Sequence, residues 1–212
     1  MINQEIITVN KWNEIPNEDI IEKTISALKL NGIDVIVVQN KEEAKDTVLS
    51  LIPENSEVMT MTSVTLDSMG INETINKSGN YNSIKDKMYS MDRSTQKMEM
   101  KKIGSAHDFV IGSVHAITED GKVVVVSNTG SQLPAYSYGA GKVIWVAGAQ
   151  KIVLNLNEAM KRIEAYVLPL ESERARKAYG VAGSAINKIL IFNKEVEADR
   201  ITLIIVKEKL GF

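Results

Sequence analysis

The side chains that could do chemistry fall in a few short stretches of this 212-residue sequence. His115 is an imidazole that titrates near neutrality, suited to act as a general base or as a charge partner for an anion. The plainer reading is a half-buried histidine satisfied by a backbone carbonyl. Ser63 and Thr65 flank Val64, and Ser127-Asn128-Thr129-Gly130-Ser131 gathers small polar residues around a glycine. Both stretches follow an apolar run and lead towards a helix, so hydroxyls, free backbone N–H groups and a helix N-terminus would meet a phosphate or carboxylate. The alternative for each is an ordinary helix cap. Gln150 and Lys151 follow another apolar run, which makes Lys151 an anion contact or a solvated loop lysine. Glu119 and Asp120 offer a pair of acids, with Glu119 the candidate catalytic carboxylate, although Asp120-Gly121 also fits plain turn chemistry. His107 precedes an apolar run and reads as structural or exposed, and Arg174 and Arg176 cannot share a helix face, so at most one of them reaches a site.

Several chemistries are excluded. Cysteine is absent, which removes disulfides, thiolate nucleophiles and thiolate metal sites from this chain. Two histidines without an HExxH spacing make a transition-metal centre an unfavourable reading, and no metal or cofactor is expected. Gly139-Ala-Gly141-Lys142 fails as a phosphate-binding loop because Tyr136 stands at its first glycine and Val143 at its Ser/Thr position. The same glycines fail as a dinucleotide fingerprint, with Ile144 at the third glycine, and there is no GxSxG elbow. A net charge of −2 and a pI near 5.8 argue against nucleic acid as a partner. No apolar run is long enough to span a membrane, and Met1 to Glu14 lacks the basic start and apolar stretch of a secretory leader, so the expected location is the cytoplasm.

The elements that must hold these residues read as alternating helices and strands in a single domain over 1–212. Asn17 caps a helix to about Asn31, followed by a central parallel strand over Ile33–Val38. Asn40 opens a helix ended by Pro53, Val58–Thr62 is a strand, and Ser63 caps a short helix to Gly70. The polar, methionine-bearing segment 72–105 reads as one or two covering helices, or as a lid over a site. Phe109–Ile117 and Lys122–Ser127 form a hairpin about Asp120-Gly121, an antiparallel excursion of the same sheet. Pro134 starts a short helix ending at Gly139 or Gly141, and Val143–Val146 is a buried strand. Asn157 caps a helix that Pro169 stops, Glu171–Tyr179 is a further helix closed by Gly180, and Ile189–Phe192 and Ile201–Val206 are strands. Such an open, mostly parallel α/β sheet takes ligands beyond the carboxyl ends of its strands, where the Ser63 and Asn128 loops fall, with His115 a candidate beside them.

Gly112-Ser-Val-His115-Ala-Ile117-Thr-Glu-Asp-Gly121, Ser127-Asn-Thr-Gly130-Ser131 and Val143-Ile-Trp-Val-Ala-Gly148-Ala-Gln-Lys151-Ile-Val153 together resemble the LUD domain. This is the lactate-utilisation family that includes LutC and YkgG proteins. Met160-Lys-Arg162-Ile, Leu168-Pro-Leu-Glu171 with Arg174, and Leu210-Gly-Phe212 are similar to its short, free-standing branch. The resemblance implies a three-layer α/β/α sandwich of the NagB, RpiA and CoA-transferase kind. It further implies a phosphate-binding role for Asn128, Gly130 and Ser131, beside Thr129, and a site for a sugar phosphate or an acyl-CoA-like ligand. His115 stands where isomerases of that superfamily carry the proton-transferring carboxylate, which argues against isomerase activity. A second reading makes the chain a non-catalytic accessory of lactate oxidation whose redox centres lie on other subunits. A homo-oligomer, a dimer, is the expected state.

Overall fold

A computed structural model of the chain describes residues 11–212, so the reading of the leader region falls outside the described residues up to Asn10. The elements, in order, are α1 (Glu18–Leu30), β1 (Asp34–Val38), α2 (Lys41–Ser50), β2 (Glu57–Thr60), α3 (Val64–Ser68), α4 (Ile71–Lys77), β3 (Asn82–Ser83), α5 (Ile84–Tyr89) and α6 (Lys97–Ile103). Then come β4 (Phe109–Gly112), β5 (Ala116–Thr118), β6 (Val123–Ser127), a π-turn (Ala135–Gly139), β7 (Lys142–Gly148), a 3-10 turn (Ala149–Lys151) and β8 (Ile152–Val153). The chain continues through α7 (Leu156–Arg162), a second π-turn (Ile163–Val167), α8 (Leu168–Tyr179), β9 (Lys188–Phe192) and β10 (Ile201–Val206).

Caps explain the helix starts. Asn17 Oδ1 accepts the Ile20 N–H, Asn40 Oδ1 the Glu43 N–H, and Asn155 Oδ1 the Glu158 N–H. The third cap corrects the expected Asn157. Pro169 does not stop this helix either, because the π-turn at Ile163–Val167 shifts the backbone register just ahead of it and Pro169 sits in the first turn of α8.

Six strands make an all-parallel sheet in the order β1-β10-β7-β4-β2-β3. Alternate side chains of its inner strands feed two cores. On one face Val143, Trp145, Leu203 and Ile205 pack with α1, and on the other Ile144, Val146, Ile204 and Val206 pack with α2, α3 and α4. The mostly parallel α/β architecture is therefore as expected, with two corrections. Strand β1 is an edge, not a centre, which is why its residues remain partly exposed. The hairpin belongs to a separate sheet, β8-β5-β6-β9, which backs onto the large sheet through Trp145 and Phe192, while Val124 and Val126 pack with Ala159 of α7, Ile163 of the second π-turn and Leu170 of α8. The apolar run 109–117 thus breaks between the sheets at Ser113–His115. Segment 72–105 is three helices and a short strand, more than the one or two helices expected.

Candidate functional site

A cavity of about 880 Å³ opens over the carboxyl ends of the parallel strands. Its floor comes from the residues that follow them: Met61, Thr62 and Ser63 after β2, Ser113, Val114 and His115 after β4, and Lys151 after β7. Asn128 and Thr129, after β6, form one side. Helices α5 and α6 supply Met88, Tyr89 and Met100, the loop between them Met91 and Arg93, and the opposite wall is built from residues between Ile163 and Ile186. The 72–105 segment therefore covers the sheet and also roofs the site, while Met98 turns to solvent.

Lys151 lies at the centre of the floor. It is 2% exposed, and its Nζ is 3.1 Å from Thr65 Oγ1, 3.0 Å from Ser113 Oγ and 3.1 Å from Val114 O. No carboxylate among the described residues pairs with it. Burial, with the Arg162 guanidinium nearby, pushes the amine well below the usual lysine range. Thr65 is itself fixed by donating to Leu210 O, and Gly211 is required beside it because a Cβ there would come within 2.3 Å of Thr65 Oγ1. Gly112 has a similar role, since a Cβ would fall 1.6 Å from Tyr136 Oη, the buried phenol that borders the cavity and packs edge-on to Trp145.

His115 Nδ1 accepts the Val126 N–H at 3.2 Å, which leaves the ring proton on Nε2. Burial and the charges of Lys151 and Arg162 push its pKa down to about 3, so it is a neutral imidazole at physiological pH. Behind it, Arg162 is fully buried and donates from Nη1 to His115 O at 2.6 Å. Its Nε and Nη2 have no partner among the described residues, and no acid there pairs with it. The cavity's sole lining acid among the described residues, Glu171, is consumed by a two-pronged bond to Arg174 at 2.7 Å on each prong. Arg174 lines the cavity and Arg176 does not, as their spacing requires.

Of the residues singled out in the sequence, the fold brings together Ser63, Thr65, His115, Asn128, Thr129 and Lys151. Four others lie elsewhere. Glu119 is in the hairpin turn, off the cavity, with its carboxylate on Lys23 Nζ at 2.8 Å. Gln150 is buried under the floor, donating to Leu210 O at 3.1 Å. Gly130 and Ser131 do not line the cavity. The Gly130 N–H bonds Ser127 Oγ at 2.8 Å, the Ser131 N–H reaches Thr129 Oγ1 at 3.4 Å, and Gly130 packs on the Lys188 side chain. The loop's donors thus satisfy its own hydroxyls. Nor do helix N-termini contribute as expected: α3 has five residues, and Ser63 makes no side-chain cap bond, so its hydroxyl remains free to meet a ligand. His107 is buried away from the cavity. Sequence reasoning missed Ser113, which only its position between Gly112 and His115 could have flagged, and Arg93, which carries no local signal at all.

No curated protein matches the chain. Among solved structures it is similar to a DUF162 family protein from Deinococcus radiodurans, at TM-score 0.55 and 12% identity over 90% of this chain and 99% of that one, a likeness of fold. A weaker likeness, TM-score 0.37 at 13% identity over 81% of this chain and 97% of the other, is to a D-ribose-5-phosphate isomerase in complex with phospho-erythronic acid. The LUD domain model matches residues 21–206, which span every cavity segment but Phe212, and the chain belongs to the LUD domain family.

Proposed function

We propose that this chain binds a small anionic metabolite, bearing a phosphate or carboxylate, in the cavity over the strand ends, in a role associated with lactate utilisation. The family supports the role. The observation that carries the binding is the charge balance of the cavity: Arg93 faces it without an acid partner among the described residues, Lys151 lies on its floor as an unpaired amine that an arriving anion favours as ammonium, and Glu171 is tied to Arg174. The free hydroxyl of Ser63 and the Asn128 side chain supply directed hydrogen bonds beside those cationic groups. The methionines of the roof suit the carbon body of the ligand.

A thermal-shift panel of inorganic phosphate, sugar phosphates, short carboxylates and CoA esters tests the reading. A ligand at about 100 times its dissociation constant adds about 2.7 kcal/mol of stability. The stabilisation is expected to vanish in Lys151→Met and to weaken in Ser63→Ala. Binding should also take up a proton, because a bound anion favours the ammonium form of a lysine held low by burial. Calorimetry in buffers of different ionisation enthalpy reads that proton directly. An undiminished shift in Lys151→Met, or no shift across the panel, overturns the proposal.

A further inference from the structure

We propose that the Lys151 amine captures carbonyl groups, forming a carbinolamine and then an imine with an aldehyde or ketone that also bears an anionic group. This rests on the anion-binding reading above and adds to it the class of ligand.

Lys151 is the single buried lysine among the described residues, and every partner of its Nζ is neutral. The nearest charges, Arg162 and any proton on His115, are of its own sign. A neutral amine is therefore favoured in the free cavity, and the hydrogen bonds accommodate one. Nζ has three oxygens within reach, Val114 O, Thr65 Oγ1 and Ser113 Oγ; a neutral amine gives its two N–H groups to the first two, and its lone pair then accepts from the Ser113 hydroxyl turned towards it. Ser113 Oγ also lies 3.3 Å from Thr65 Oγ1, whose own proton goes to Leu210 O at 3.3 Å. Rotating the Ser113 hydroxyl onto Thr65 therefore frees the lone pair and leaves every oxygen partnered. An amine that can expose its lone pair at the floor of an anion-attracting cavity is the arrangement an imine-forming lysine requires.

The step balances without a further reactant. The lone pair attacks the carbonyl carbon, the C–N bond forms, and the π pair moves to oxygen, which gains a proton as nitrogen loses one. The C–O bond of this carbinolamine then breaks, and the oxygen leaves as water with the second nitrogen proton, giving C=N. Amine plus carbonyl becomes imine plus one water. His115 Nε2–H, with Nδ1 held by Val126, is positioned on the same floor to donate a hydrogen bond to the oxygen as it develops charge.

Two anionic aldehydes of different size test the proposal: pyridoxal 5′-phosphate and glyoxylate, each incubated with the wild-type protein at neutral pH, reduced with borohydride and mapped by peptide mass spectrometry. Lys151 is expected to acquire the reduced adduct at least tenfold faster than the exposed lysines, and inorganic phosphate is expected to slow it. Labelling of Lys151 no faster than that of exposed lysines with both probes overturns the proposal. If phosphate still stabilises the protein in that case, the anion site stands and only its carbonyl chemistry falls. Rapid labelling that phosphate does not slow supports the amine and removes the anion reading instead. The mapping is made on the unmutated chain, so it does not depend on how any variant folds.

Discussion

Burying a lysine and an arginine side by side with no acid for either is costly, since each ion forfeits several kcal/mol of hydration. Burial and the neighbouring guanidinium favour the neutral amine at Lys151, which relieves that cost, whereas Arg162 has one strong bond, to His115 O, and the face of Tyr166. Arg162→Met removes a neighbouring positive charge, so the pH midpoint for labelling Lys151 should move upward with little loss of stability; an unmoved midpoint would show that burial alone sets the amine. His115 is neutral when folded, with a pKa near 3 against about 6.5 unfolded. The unfolded chain therefore binds the extra proton, and the stability present above about pH 6.5 is lost as pH falls towards 3, by at most about 1.4 kcal/mol per pH unit. Asn at this position keeps an acceptor for the Val126 N–H but does not titrate. Urea melts should then show the wild type losing more stability between about pH 7 and pH 5 than His115→Asn, by at most about 2 kcal/mol; equal losses would contradict the assignment. Ser63, Thr65 and Lys151 were legible because they follow apolar runs that become strands, and His115 because it is an imidazole. Gly130 and Ser131 fall off the cavity because their N–H groups bond hydroxyls of their own loop, Ser127 and Thr129, and Gln150 because its amide is taken by Leu210 O, a tertiary neighbour that local sequence does not announce.

Helix α1 and the β5–β6 hairpin meet through one turn. Asn31 Nδ2 donates to Asp120 O at 3.1 Å and to Gly121 O at 3.0 Å, and Gly121 has φ +80°. A Cβ at Gly121 would lie 2.5 Å from the Ala27 carbonyl carbon and 2.7 Å from the Leu28 nitrogen, which are backbone atoms that cannot yield. Gly121→Ala should therefore cost at least about 2 kcal/mol in denaturant unfolding, from the left-handed backbone and the clash together. A loss of a few tenths would mean the helix backs away freely. The Asp-Gly step made this turn legible in advance, as Asn17 and Asn40 did the starts of α1 and α2, whereas the α7 cap lies at Asn155 and not at the expected Asn157. What the sequence concealed was the switch of sheets at Ser113–His115, because an apolar run reads the same whether it stays in one sheet or crosses to another. It also concealed the continuation past Pro169, since a π-turn has no compositional signature.

The cavity walls come from segments spread from Met61 to Phe212, so the site belongs to the assembled molecule and to no single element. Its roof, α5 to α6, is tied to the rest mainly through Ile84 and Met100. A bound anion that draws in Arg93 should slow tryptic cleavage after that residue and leave cleavage after exposed Lys194 unchanged; equal rates at Arg93 with and without phosphate would show that the roof does not respond. The alternation of helices and strands made the parallel sheet legible, but not the order of its strands. Asp34 pairs with Thr202, and β10 lies between β1 and β7. During synthesis on the ribosome, β1 and β7 emerge well before the strand that joins them. Until β10 is released, both present unpaired backbone edges to solvent, exposed to chaperones and to other nascent chains, and the lysine at the cavity floor has no completed sheet beneath it.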